Sequence, residues 1–151
     1  MDSWGEGSRS SSEIGEHEEV GVLKVRTRLA MSAIHGIGLF ADEPIAAETV
    51  LWELDPRFDI VFSQDDLATL SPAAQEQVER YSYYEKEIGA YVLCGDDARF
   101  MNHSPEPNTR DVSGMRTLAA RAIAAGEEIT QDYTVWDDPR ALSHEENPDE
   151  R

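Results

Sequence analysis

A chain of 151 residues with 40% hydrophobic content is the size of one domain, and no apolar run approaches the roughly 20 residues of a membrane span. Its one cysteine, Cys94, excludes an internal disulfide and a cysteine-built zinc site. With 13 basic against 31 acidic residues the net charge is −18, which repels nucleic-acid phosphates and favours a basic partner such as a Lys-rich protein.

In chain order, the opening residues MDSWGEGSRSSSEIGEHEEV lack the basic start and apolar middle of a secretory signal, so a cytoplasmic location is expected, or a nuclear one in a eukaryote. Residues 1–20 carry six acids and one Arg, and 137–151 carry six acids and two Arg. Both ends are polar and poor in apolar residues. Segments 1–21 and 137–151 are therefore expected to be acidic and disordered or loosely attached, flanking a working domain at 22–136. Within it, Val22 to Arg26, Thr49 to Leu54, Phe58 to Phe62 and Ala90 to Cys94 are short, rich in β-branched and aromatic residues, and read as strands. Ser71 followed by Pro72 is a helix start, and Ala74, Val78 and Tyr81 recur at helical spacing, so a helix is expected through about Tyr83. Leu118 to Ala125 is helical by propensity, yet Gly114 and Gly126 bracket it and Glu128 to Thr134 alternates like a strand. The segments PIAAETVLWEL and AIAAGEEITQDY echo one another: a small-residue turn, an acid, then a β-branched strand start. The expected class is mostly β with one or two short helices.

Three stretches invite a chemical reading. HGIGLFA, His35 to Ala41, satisfies a dinucleotide fingerprint literally, but Pro44 follows and blocks the required helix. What remains is either a tight turn or a ligand pressed against bare backbone. RFMNHSPEPNT, Arg99 to Thr109, sets Asn102, His103, Ser104 and Asn108 on a loop stiffened by Pro105 and Pro107. One His supplies too few ligands for a metal, and adjacent His103 and Ser104 diverge on an extended backbone, so neither a metal centre nor a hydrolase fits. A rigid polar loop holding a small polar ligand fits better. In GEEITQDYTVW, Gly126 to Trp136, a phenol to orient an amine stands near an indole face that suits a ring or cation.

Taken in order, GIGLFA, RFMNHSPEPN and GEEITQDY resemble the motifs of the SET-domain protein lysine methyltransferases, and the likeness runs from about Arg26 to Trp136. The resemblance implies a β-clip fold of small sheets with a knot-like C-terminal crossing. It also implies S-adenosylmethionine as cofactor and transfer of its methyl group to a lysine amine in a basic protein. Gly36, Ile37, Gly38, Arg99, Asn102, His103 and Trp136 would bind the cofactor, and Tyr133 would be the catalytic tyrosine. Tyr83, Tyr84 and Gln131 would line the lysine channel, and no metal is implied. Dimerisation, as in some minimal members, is a further expectation. Pro105 stands where the family usually has Cys, and Gln131 where many members have the Phe or Tyr that governs the number of methyls. No Cys cluster follows Tyr133 to form a zinc-bound lid. Two other readings remain open: a non-catalytic binding module on the same fold, and an acidic interaction protein that holds basic partners.

Overall fold

The computed structural model describes residues 22–136 and Pro139, so the readings made for 1–21 and for the tail from 137 lie outside the described residues, Pro139 apart. Eleven short strands and two short α-helices are described, so the chain is mostly β, as expected. The strands are β1 (Val22–Leu23), β2 (Thr27–Met31), β3 (Ile37–Ala41), β4 (Val50–Glu53), β5 (Ile60–Phe62), β6 (Ser82–Glu85), β7 (Ala90–Leu93), β8 (Asn102–His103), β9 (Thr109–Val112), β10 (Arg116–Ala119) and β11 (Thr130–Gln131). They form four small sheets: β1-β4-β10-β9, the hairpin β2-β3, β5-β7-β6, and a parallel pair of β8 with β11. The core lies between them. Leu39, Leu51, Val92, Ile123 and Ile129 are almost fully buried, each contributing roughly 1.5–3 kcal/mol over an exposed position.

Helix α1 (Gln64–Ala68), which the sequence reading did not anticipate, is closed by a reciprocal cap: Asp66 N–H donates to Ser63 Oγ at 3.0 Å and Ser63 N–H to Asp66 Oδ2 at 2.9 Å. Helix α2 (Pro72–Tyr81) begins as expected, with Ala74 N–H donating to Ser71 Oγ at 3.2 Å and proline in the first turn. It stops two residues early. Ser82 turns extended, and Tyr83 and Tyr84 pair with Val92 and Tyr91 of β7. Ring packing of Tyr84 on Tyr91 at 5.2 Å and of Tyr83 edge-on to Trp52 at 5.9 Å outweighs further helix. Tertiary pairing also overrides the helical propensity of Leu118 to Ala125, because Arg116–Ala119 is a strand held between β4 and β9. The alternation over Glu128 to Thr134 yields only the two residues of β11 before a 3-10 turn at Tyr133–Trp136.

The internal echo has a structural counterpart. Ile45 and Ile123, its matching residues, exchange backbone hydrogen bonds at 2.8 Å in both directions and are both buried. The two copies also share a left-handed residue, Glu48 at φ 68° in one and Gly126 at φ 87° in the other. Only the second copy uses the residue suited to that conformation. A Cβ at Gly126 meets nothing within 4 Å, so Gly126→Ala carries backbone strain alone. The expected loss is about 1 kcal/mol in urea unfolding. Glu48→Gly is expected to move stability the other way by less, since it also removes an exposed ion pair to Arg110.

Candidate active site

Strand β3 starts from a turn in which Gly36 adopts φ +45°. A Cβ at Gly36 would meet nothing within 4 Å, so its bare backbone faces open space. Gly38, two residues on, is buried for a different reason: a Cβ there would lie 2.6 Å from Glu128 Oε2 and 3.0 Å from Ser32 Cβ. The missing side chain makes room for the Glu128 carboxylate, which accepts from Ser32 Oγ at 2.7 Å and from Asn102 Nδ2 at 3.0 Å. Asn102 Nδ2 also reaches His35 O at 3.0 Å and Ile37 O at 3.3 Å. The glycine strand, the Asn-His loop and the C-terminal segment are thus tied together through one carboxamide and one carboxylate.

Parallel pairing of β8 with β11 sets Asn102 opposite Thr130 and His103 opposite Gln131. Ser104 N–H continues the ladder to Gln131 O at 2.8 Å. Asn108, one of the four hydrogen-bonding residues on the loop, gives its side chain to the C-terminal segment: Nδ2 donates to Glu128 O at 2.7 Å, and Oδ1 accepts from Thr130 N–H at 2.9 Å. A buried side-chain amide stands in for a strand partner there, which is why the loop needs an asparagine.

Beyond β11 the chain turns, and Tyr133 N–H donates to His103 Nδ1 at 3.0 Å. That bond puts the imidazole proton of the neutral ring on Nε2. The Tyr133 hydroxyl turns inward and donates to Met101 O. Burial, and then the charge of Glu128, push this phenol up to about 12. Trp136 stacks on Tyr133 with ring centroids 4.7 Å apart, touches Tyr83 at 5.2 Å, and donates from Nε1 to Asp111 Oδ2 at 3.0 Å. Burial also raises the Tyr83 phenol, so it too stays protonated.

Two cavities meet at Tyr133. The larger, about 720 Å³, is walled by Ile34 to Ile37, Phe100, Asn102 and His103. The smaller, about 230 Å³, is walled by Trp52, Tyr83, Gln131, Trp136 and Asp111 among others. Arg80, Tyr81, Arg99, Met101 and Tyr133 border both. Of the expected cofactor residues, Gly36, Ile37, Arg99, Asn102 and His103 share the larger cavity, Gly38 lies behind its wall, and Trp136 stands on the smaller one. Of the expected channel residues, Tyr83 and Gln131 face the smaller cavity and Tyr84 borders neither. Arg80, Met101 and Glu128 were not singled out from sequence. Glu128 lay within a quoted motif, and Arg80 is a cation at a helix end in an acidic chain, so both carried a signal.

The larger cavity suits a nucleoside joined to an amino acid. It offers apolar faces from Ile34, Ile37 and Phe100, bare backbone at Gly36, and the Arg99 side chain on its border. No group of His, Cys, Asp or Glu among the described residues is arranged to hold a metal ion.

The profile of the SET domain matches residues 36–134. The chain is 31% identical over 139 residues to Histone-lysine N-methyltransferase SETD1 of Drosophila melanogaster, covering 84% of this chain and 8% of that protein. It is 34% identical over 122 residues to Histone-lysine N-methyltransferase, H3 lysine-4 specific, of Yarrowia lipolytica, covering 73% of this chain and 10% of that one. The chain therefore spans a small part of these relatives' length. Among solved structures, a humanized mutant of the Chaetomium thermophilum Polycomb Repressive Complex 2 bound to the inhibitor GSK126 shares the fold, with TM-score 0.55, 19% identity, and coverage of 74% of this chain and 15% of that one.

Proposed function

The chain belongs to the SET-domain family, and on that footing we propose that it transfers a methyl group from S-adenosylmethionine to the side-chain amine of lysine in a basic protein. One observation carries the reading: the cavity bearing the Gly36 turn and the Asn102–His103 loop shares Tyr133 and Met101 as a common wall with an aromatic cavity. The family's relatives, named as histone-lysine methyltransferases, support the same chemistry.

When bound, the cofactor supplies an electrophilic methyl on a sulfonium. The chain's own work is to present an amine to it. A free lysine amine, with pKa about 10.4, is almost wholly protonated near neutrality. The aromatic walls of the smaller cavity, Tyr83 and Trp136, disfavour the ammonium by desolvation and admit the neutral amine. The Tyr133 hydroxyl, its proton committed to Met101 O, offers oxygen lone pairs toward the junction, where they orient the amine's N–H groups. The excess of acidic residues draws a basic substrate toward the site before the lysine enters.

Incubating the protein with methyl-labelled cofactor and a panel of basic proteins, then locating modified lysines by mass spectrometry, tests the proposal; absence of any labelled lysine across the panel counts against it. The same assay carries a pH prediction. The rate is expected to rise from neutrality toward alkaline pH as the substrate amine loses its proton. Because the Tyr133 phenol is held up to about 12, it stays protonated across that range and adds no descending limb below it. A fall in rate near pH 10 that Tyr133→Phe removes would contradict this.

A further inference from the structure

Two indoles wall the smaller cavity, and they are held in different ways. Trp52 sits in the core at 3% exposure, where packing fixes it although its Nε1–H finds no acceptor among the described residues. Trp136 is only half-buried, at the end of the 3-10 turn Tyr133–Trp136, and its neighbours Thr134 and Val135 are exposed. Burial does less to fix it. Its ring rests on Tyr133 and Tyr83, and its Nε1–H donates to Asp111 Oδ2 at 3.0 Å. Asp111 is itself held: it stands on β9 directly opposite Thr117 of β10, whose hydroxyl donates to Asp111 Oδ1 at 2.9 Å. Thr117 is buried.

With one carboxylate oxygen turned to Thr117, the other is left facing the indole, so a buried hydroxyl sets the direction of the carboxylate and the carboxylate that of the ring. A hydrogen bond to an ionised acceptor is the stronger kind. We propose that Asp111 is a positioning residue for the lysine cavity, holding the Trp136 indole against Tyr133 and Tyr83 through Nε1. The inference rests on the lysine-methylation reading given above and goes past it, because Asp111 lies outside the three motifs. It also moves Trp136, expected from sequence to bind the cofactor, to the amine end of the reaction: Trp136 walls the smaller cavity and not the larger. A wall already in place lowers the cost of seating a flexible lysine chain, which is a contribution to substrate binding and not to the transfer step. Because Asp111 borders the same cavity, direct attraction of its charge for the substrate cation is the competing role. The amide variant separates the two.

Indole N–H resonances of the isotopically labelled full chain report the contact directly, with that of Trp136 assigned by its loss in Trp136→Phe. Asp111→Ala is expected to shift this resonance upfield and speed its exchange with water. Asp111→Asn is expected to leave it near its wild-type position, since the carboxamide oxygen still accepts from the indole and the carboxamide N–H donates to Thr117 Oγ1. In transfer assays with core histones and poly-L-lysine as acceptors, Asp111→Ala is expected to raise KM about fivefold with kcat nearly unchanged, and Asp111→Asn to stay within about twofold of wild type. Calorimetry with S-adenosylhomocysteine is expected to give wild-type affinity in both variants. An unmoved Trp136 resonance or an unchanged KM in Asp111→Ala overturns the proposal and leaves methyl transfer standing, as does an Asp111→Asn loss as large as that of Asp111→Ala. A wild-type protein that labels neither acceptor overturns the lysine-cavity role together with the methyl-transfer reading.

Discussion

Tyr133→Phe is expected to cut methyl transfer about a hundredfold or more while leaving cofactor affinity unchanged. The hydroxyl stands where the two cavities meet, with its own donor committed to Met101 O. Removing it frees that carbonyl and leaves the incoming amine without its aligning acceptor. The ring remains, stacked on Trp136 at 4.7 Å and tilted against His103 at 5.3 Å, so the pocket wall is kept. Single-turnover transfer from labelled cofactor measures the first effect and calorimetry with S-adenosylhomocysteine the second. A variant transferring at nearly the wild-type rate places the aligning group elsewhere. A binding module without turnover predicts no transfer in either protein, and an acidic interaction protein predicts no cofactor binding at all.

Asn108→Ala is expected to destabilise the fold by about 2–5 kcal/mol, because Thr130 N–H would be left buried without a partner and the part-buried Glu128 C=O would lose its donor. A loss of that size lowers Tm by on the order of 10 °C in a domain of this length. Asn108→Asp is expected to do no better, since it keeps the acceptor for Thr130 N–H but loses the donor to Glu128 O and sets a carboxylate beside that of Glu127. Thermal unfolding followed by circular dichroism measures the loss. Hydrogen exchange adds a local check: amides at 129–131 should lose protection ahead of those in β7. An Asn108→Ala protein with wild-type Tm and intact protection at Thr130 would show that the backbone finds other partners.

Much of the site was legible because its motifs are local. The glycine turn, the Asn-His loop and the Asp-Tyr end are each a few residues long, and their residue types state what they do: bare backbone, hydrogen-bonding side chains, a phenol. The same locality made the start of α2 readable, since a serine cap and a first-turn proline act within one turn of helix. The short strands were legible only in outline. β8 and β11 have two residues each and exist because they lie against one another, not through any propensity of Asn-His or Thr-Gln.

Sequence alone determined which chemistries were open to this chain: a lone cysteine, an excess of acid, and three ordered motifs that resemble one family. Tertiary structure alone decided the assignments that depend on contacts across the chain. Asn108, in sequence only one of several hydrogen-bonding residues on a loop, became a partner for Glu128 and Thr130, some 20 positions away. Gly38 became the space for a carboxylate 90 residues distant by number, and two arginines from separate elements came to share one ring. Hydrogen bonds and steric room act over a few ångströms in space, whereas a sequence displays only neighbours along the backbone, so pairings of that kind emerge when the chain closes on itself.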